Sequence, residues 1–397
     1  MLEYEVALAN ILAQMPAAKP ELIPVRHAHR RILAAPVLAP IPLPPFDNSS
    51  MDGYAVRAAD TLPENSELRI TGRVDTGKSP ETSVEPGCCA RIFTGAALPP
   101  GADAVIMQED TRLDPEKPGS IRIVEGVKPW ENVRFRGEDI AAGAPAGLHG
   151  VEISLGHLNL FAALGISQVS VARQPTLGIL ATGSELRESD ENLSAGGIFE
   201  SNRAGLTALF QAAGAVPQAF PLVKDTLADT QAALEAAFDQ NDLVVTSGGV
   251  SVGELDFVKS AFQAMGGEME FWKIAMRPGK PFVFGRWREK FLFGLPGNPV
   301  SAFVTALLLV RPALRRWQGA IATSLPPSCG ILAETLDNPG TRRHFVRVTL
   351  DETEMVRPAG TQASHILSSL AAANGLVDVP PAGSLAAGSV VRVIRWE

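Results

Sequence analysis

Cysteine is scarce, with three in 397 residues. Cys88, Cys89 and Cys329 form no CxxC pair, their number is odd, and adjacent cysteines rarely bond to each other. A disulfide framework and a thiolate zinc site are therefore excluded, and a reducing compartment is expected. Excess positive charge is also missing. The formal net charge of −8 argues against a general nucleic-acid binder and against a protein held on an anionic membrane. The longest strongly apolar run, 302–310, falls far short of the roughly 20 residues that cross a bilayer. The first fifteen residues carry acids rather than the basic stretch and continuous apolar core of a signal peptide, so the expected location is cytoplasmic. There is no Walker A, GxGxxG or HExxH motif and no convincing Ser-His-Asp order, and His365 stands alone.

Turn formers are abundant, with 36 glycines and 31 prolines in a chain that is 46% hydrophobic and 20% charged. That composition supports many short elements around sizeable cores, and the length allows two to four domains of about 100–200 residues. Residues 1–15 place Leu2, Val6, Leu8, Ile11, Leu12 and Met15 at helical spacing. The prolines of PVLAPIPLPP (36–45) exclude a helix and predict an extended connector. YAVRA, LRITGRV, CCARIFTG, AVIMQED and SIRIVEGV, each bounded by turn residues, predict a small all-β domain within 46–145. A connector with one helix follows over 146–170.

From 175 the rhythm changes. TLGILAT, AFPLV, DLVVTSGG and MEFWKIAM read as strands, 202–213, 227–238 and 257–265 as helices, FVFGRWREKFLFGLPG as a hairpin, and 299–316 as a long helix containing Pro312. Alternating strands and helices predict a parallel sheet, which binds ligands beyond the carboxyl ends of its strands. TGSE, TSGG and LPGNP fall at those ends. Short strands return after about 325 and predict a second β domain.

The stretch 244–301 concentrates the chemistry. Thr246-Ser247-Gly248-Gly249 brings hydroxyls and two residues without Cβ, which lets the backbone approach a phosphate, although a tight turn uses the same residues. Asp225 and Asp256 follow strands at one sheet edge, and Glu185 stands nearby in sequence order. Carboxylates beside a phosphate suit Mg²⁺; for Asp225 the competing role is a helix N-cap. Lys273, Arg277 and Lys280, held by proline and glycine, would bind a polyanion. Arg342, Arg343 and Arg347 form a second cationic run, for which a solvated face is the alternative. Pro296 and Pro299 bracket Gly297 and Asn298. Asp52, Thr94, Arg134 and Asp139 repeat the mixture of polar groups and glycine in the β-rich part, and Ser364 adds a hydroxyl near the end.

The motifs PPFDNSSMDGYAV (44–56), RIFTGAALPPGADAVIMQED (91–110), RGEDI (136–140), ATGSEL (181–186), TSGGVSVGELD (246–256), MRPGKP (276–281), GLPGNPVSA (294–302) and GTQASHILSSLAAANGL (360–376) resemble, in order and over nearly the whole chain, the MoeA-type molybdopterin molybdotransferases and the related E domain of gephyrin. The resemblance implies a multidomain α/β plus β fold. A three-layer α/β molybdopterin-binding domain (175–320) would join a β-rich domain (41–140), an extended connector arm (21–40 and 141–174) and a C-terminal β-barrel-like domain (321–397). An N-terminal helix (1–20) would pack on the arm or the α/β domain.

The resemblance also implies the reaction, in which molybdate joins adenylylated molybdopterin, AMP is released and molybdenum cofactor forms. Asp225 and Asp256, with Glu185, would hold Mg²⁺. Ser247, Gly248, Gly249, Gly297 and Asn298 would cradle the pterin phosphate, with Pro296 and Pro299 shaping the loop. Lys273, Arg277, Arg347 and Ser364 would bind molybdate. Position 277, often lysine in the family, is arginine here. A homodimer is implied, with Asp52, Thr94, Arg134 and Asp139 reaching the cleft of the other subunit. The preceding adenylyltransferase and recipient molybdoenzymes are possible partners. The alternatives are the adenylyltransferase itself, usually one small domain, and a gephyrin-like scaffold, whose separate amino-terminal domain and linker have no counterpart here.

Overall fold

The computed structural model describes residues 1–115, 117–250 and 257–396. Leu243–Ser247 is buried at every position, as a central strand covered on both faces must be. It lies inside a six-stranded sheet ordered Val216–Ala219, Thr176–Ala181, Leu243–Ser247, Lys290–Leu295, Val283–Trp287, Glu268–Trp272. Only Val283–Trp287 runs against the other five strands, so the expected parallel sheet is a mixed one. Helix Asn202–Ala212 and the 299–317 helix cover one face, through Leu206, Phe210, Leu309 and Leu314. Helices Leu227–Gln240 and Val258–Ala264 cover the other, through Leu234, Phe238, Ala261 and Phe262. Three layers result.

Three elements differ from their sequence-based outlines. AFPLV (219–223) is not a strand: pairing ends at Ala219 and returns only as a bridge from Val223 to Thr182. Pro221 has no N–H to give a ladder. MEFWKIAM (269–276) breaks at Lys273, whose φ of 72° cannot continue a strand. Beyond the break, Met276–Arg277 pairs in parallel with Arg343 and His344 of the next sheet. The 299–317 helix contains a π turn, Ala306–Val310. Pro312 cannot donate to the Leu308 carbonyl four residues back, and the Tyr4 hydroxyl donates to that oxygen instead (3.4 Å). Burial pushes the Tyr4 phenol up to about 12, with the Asp378 and Glu5 charges adding to the effect.

The C-terminal sheet closes on itself. Arg343–Leu350 pairs with Met355–Pro358, that strand with Pro327–Leu332, then Val390–Arg395, then Gly375–Val379, which returns to Arg343–Leu350. Val346, Val348, Val356, Val377 and Val393 fill the barrel. Closure removes the free edges that a five-stranded sheet would otherwise expose.

The β-rich part is a six-stranded sheet ordered Ala104–Met107, Gly53–Val56, Cys88–Ile92, Glu67–Val74, Ser120–Ile123, Thr111–Leu113. Its thiols are free, and burial pushes that of Cys89 up to about 12. The arm is two passes of chain laid antiparallel, Pro20–Pro24 on Gln168–Ala172 and Val37–Leu38 on Pro145–Gly147. Helix Leu155–Ala163, capped by Ser154, packs Phe161 into its core. Arg173 fastens arm to sheet by paired bonds to Asp242 (2.9 and 3.0 Å) and by its guanidinium over the Trp317 ring. The first helix, Tyr4–Gln14, sends Ala7 and Ile11 into the α/β core and Glu5 to Arg343 of the barrel (2.6 Å). Among the described residues, no helix is long and apolar enough to cross a membrane.

Candidate functional site

A cleft of 1160 Å³ opens along the carboxyl ends of the α/β strands and is walled opposite by barrel residues 362–365. Strand order distributes its contents. Glu185 and Asp225 sit beyond the two strands at one edge, the glycine turns beyond the two central strands, and Lys280 and Arg277 beyond the antiparallel pair at the other side. Adjacent strands lie about 4.8 Å apart, so the sheet spaces carboxylates, cradle and cations along one line.

The central cradle is sterically specified. Gly248 and Gly249 have φ of 94° and 67°, and a Cβ at either would fall 2.6 Å from the Thr182 carbonyl oxygen or from Val258 Cγ2. The Gly248 N–H donates to the Leu295 carbonyl (3.1 Å). Its contribution to a ligand is therefore close approach, not that hydrogen bond. Gly297 differs: a Cβ there would meet only Gly248 Cα, at 3.6 Å. The fold therefore leaves room for a side chain at 297. Asn202 ties the two turns together by donating to Ser247 Oγ (2.6 Å) and the Gly297 carbonyl (2.9 Å). Asn298 donates to Ser364 Oγ (3.1 Å) and joins the cradle to the barrel loop. Pro296 and Pro299 flank the turn, and Pro299 opens the helix.

At the carboxylate side, Asp225 accepts from the Ser184 N–H (2.8 Å) while Ser184 Oγ accepts from the Asp225 N–H (3.1 Å). The helix N-cap role falls to Thr226, which accepts from Asp229 N–H, and this leaves the Asp225 carboxylate facing the cleft. Glu185 lines the same wall. Asp256 lies outside the described residues, and among those described no three metal-ligating side chains cluster. Mg²⁺ needs only one or two protein carboxylates when phosphate oxygens and water complete its shell, so Asp225 and Glu185 fit such an ion.

The cationic side is built from two domains. Arg277 and Lys280 come from the α/β segment, and Arg342 from the barrel, where its guanidinium donates to the Met276 carbonyl (3.2 Å). His344, buried beside them, is pushed down to about 4, first by burial and then by Arg277, Arg347 and Arg342. A neutral imidazole is thus packed where cations converge. Arg347 does not line the cleft: it is 0% exposed and donates to Ser369 Oγ (3.0 Å) and to the carbonyls of Thr361 (2.8 Å) and Ala363 (3.1 Å). It acts on the cleft by holding the loop that presents Ser364. Lys273 is also absent from the cleft lining; its ammonium lies over the Trp272 ring (3.5 Å to the centroid), and Trp272 Nε1 donates to the Val250 carbonyl (3.3 Å).

Asp52, Thr94, Arg134 and Asp139 lie elsewhere. The Asp52 carboxylate accepts from the Thr94 N–H and hydroxyl (both 2.8 Å), and these bonds, the N–H foremost, hold it below the usual carboxylate range. Arg134 and Asp139 line a separate hollow of 430 Å³ in the β-rich part, together with Gly95 and Glu138. No single chain brings these four residues to the cleft.

Sequence reading passed over Asn202, Arg203 and His344. Arg203 donates to Glu188, to Glu200 (2.9 Å) and to the Phe220 carbonyl (2.7 Å), closing the flap between the two glutamates. Asn202 had one visible signal, its place at the start of a helix. The second cationic run divides three ways: Arg342 enters the cleft, Arg343 pairs with Glu5 and Asp378, and Arg347 is buried.

Three family descriptions match in order: "MoeA N-terminal region (domain I and II)" over residues 2–165, "Probable molybdopterin binding domain" over 178–316 and "MoeA C-terminal region (domain IV)" over 330–396. The chain is 36% identical over 400 residues to a molybdopterin molybdenumtransferase of Haemophilus influenzae, covering 99% of this chain and 98% of that one. It is 37% identical over 398 residues to molybdopterin molybdenumtransferase 2 of Mycobacterium tuberculosis, covering 98% and 97%. A solved molybdopterin biosynthesis MoeA protein from Pyrococcus horikoshii superposes with a TM-score of 0.88 at 29% identity, covering all of both chains. Neither an adenylyltransferase nor a scaffold is favoured by these matches. A full-length likeness of this size, carried on a cleft of this construction, means that the chain belongs to the MoeA family of molybdopterin molybdenumtransferases.

Proposed function

We propose that this enzyme inserts molybdenum from molybdate into adenylylated molybdopterin, releasing AMP and forming molybdenum cofactor. The observation that carries the reading is the order of groups along the cleft: carboxylates, then a phosphate-sized glycine cradle, then cations. The substrate needs the same order, with a phosphoanhydride beside the phosphate that leads to the metal-accepting pterin.

Ser247, Gly248, Gly249, Gly297 and Asn298 hold the pterin phosphate, with Pro296 and Pro299 fixing the turn. Arg277, Lys280 and Ser364 receive molybdate, a compact dianion suited to several fixed donors. Cations set in place beforehand offset the cost of desolvating it. Arg347 positions the Ser364 loop. Lys273, whose ammonium lies over the Trp272 ring, adds its charge to that set. Asp225 and Asp256, with Glu185, are the residues that hold Mg²⁺, which when bound neutralises charge on the phosphoanhydride as AMP departs.

Asp52, Thr94, Arg134 and Asp139 come from the second subunit of a homodimer. The domain division is 1–20, 21–40 with 141–174, 41–140, 175–320 and 321–397, and the enzyme works in the cytoplasm. It receives its substrate from the preceding adenylyltransferase and passes cofactor to recipient molybdoenzymes. The test is AMP release from adenylylated molybdopterin, with and without molybdate and with and without Mg²⁺. Release that depends on both is expected. Formation of adenylylated pterin from ATP instead would overturn the reading.

A further inference from the structure

We propose that Phe199, on a flap at the carboxylate side of the cleft, is the stacking platform for the adenine ring of the adenylyl group. The proposal rests on the molybdenum-insertion reading for the identity of the nucleotide.

The flap leaves the sheet after Thr176–Ala181 and returns at helix Asn202–Ala212. Leu186–Arg187 pairs in parallel with Ile198–Phe199. Ile198 and Phe199 line the cleft yet remain 54% and 44% exposed. Two neighbouring large apolar side chains left open at the cleft mark a contact surface. Phe199 is the one Phe, Tyr or Trp among the described residues of the lining. His365, on the barrel wall, is the other aromatic side chain of that lining, so at the flap a flat heteroaromatic ring has Phe199 to stack on.

The place of Phe199 decides which ring. The Ile198 N–H donates to the Glu185 carbonyl (2.9 Å), which puts the platform at the carboxylate side of the cleft. Asn202, three residues on, touches the phosphate cradle through Ser247 and Gly297, so the platform lies within roughly 10 Å of chain from it. The cations that receive molybdate, and hence the pterin end, lie across the sheet. The ring beyond the carboxylates is adenine. The flap is held for this purpose: Arg203 bonds Glu188 and Glu200 at its two ends, and Arg187 donates to the Ser184 carbonyl (3.0 Å).

The experiment is equilibrium binding of AMP, molybdopterin and inorganic pyrophosphate to wild type, Phe199→Ala and Phe199→Tyr, all with Mg²⁺. Phe199→Ala is expected to weaken AMP about tenfold, as loss of one base–aromatic stack does. Pyrophosphate and molybdopterin binding should stay at the wild-type level, and Phe199→Tyr should hold AMP within about twofold. Unchanged AMP affinity in Phe199→Ala overturns the proposal. So does weakening of molybdopterin in place of AMP, which would assign the platform to the pterin. Parallel loss of pyrophosphate, or dissociation of a dimer with AMP affinity intact, also overturns it, by marking a structural role or a subunit contact. If wild type fails to release AMP from adenylylated molybdopterin, the insertion reading falls, while the AMP arm still reads the platform.

Discussion

The cleft and the smaller hollow of the β-rich part are furnished with the same residue types, namely acids, an arginine or two and glycine, yet they are built differently. In the cleft, the polar groups are pinned from behind. Asn202 bridges two turns, Asn298 is tied to Ser364, and buried Arg347 holds the facing loop. The hollow is walled by Leu43, Pro44, Pro45 and Phe46 and has no glycine cradle. Its acids and its arginine are exposed, Glu138 accepts from the Phe135 N–H (2.8 Å), and the nearby Asp52 accepts from Thr94. The cleft is braced from behind by bonds between its own loops, whereas the hollow is smaller and more open. In the proposed homodimer the two would meet, so binding and turnover would be separable and substitutions could pull them apart.

The largest effect should come from Gly248→Ala. A Cβ at φ 94°, 2.6 Å from a carbonyl oxygen, forces the cradle open, and molybdate-dependent AMP release should fall more than about a hundredfold, since small misplacement of bound groups costs that much. Gly297→Ala is the control. Its melting temperature should match wild type while ligand affinity drops, and an unchanged affinity would mean that nothing approaches position 297.

Next is the division itself. Asp52→Ala and Gly248→Ala homodimers should each be nearly inactive. After exchange of subunits, activity should return to about a quarter of wild type, because half the dimers are then mixed and each of those has one intact site of two. No recovery would place both halves of the site in one chain.

Arg347→Met should cost about 2–4 kcal/mol in urea unfolding, because Ser369 and two loop carbonyls lose a buried charged donor.

His344 gives a smaller, pH-dependent effect. Its folded pKa, about 4, lies below the ordinary value of 6.5. Between those values the unfolded chain takes up a proton that the folded chain refuses, so stability falls as the pH drops from about 6.5 to 4 and the loss is complete below 4. The total is at most about 3 kcal/mol. His344→Asn should remove that part of the slope, read as the difference between unfolding curves at pH 7, 5.5 and 4. Equal slopes would show that the imidazole is not held neutral.

Much of the cleft was legible in the chain. TGSE, TSGG and LPGNP read as turns at strand ends, and all three line it. They were legible because glycine at positive φ and proline at a helix start are local demands. Residues whose role depends on distant partners were not. Arg347 reads as an oxyanion ligand; it is buried, and its bonds to Ser369 and to the loop carrying Ser364 are made with partners that no local pattern indicates. Asn202 read as the start of a helix and joins turns 45 and 95 residues away. AFPLV read as a strand, but Pro221 interrupted its ladder, and MEFWKIAM concealed the break at Lys273 where the chain crosses to the barrel.

The sequence by itself determined the glycine turns, the alternation of strand and helix, the family and the inventory of charges, because each of these is set by near neighbours along the chain. Tertiary structure decided the rest: which cations face the cleft, which is buried to hold a loop, and that four polar residues of the β-rich part stand apart from it. Those outcomes depend on strand order and barrel closure, which bring together groups that no local pattern relates.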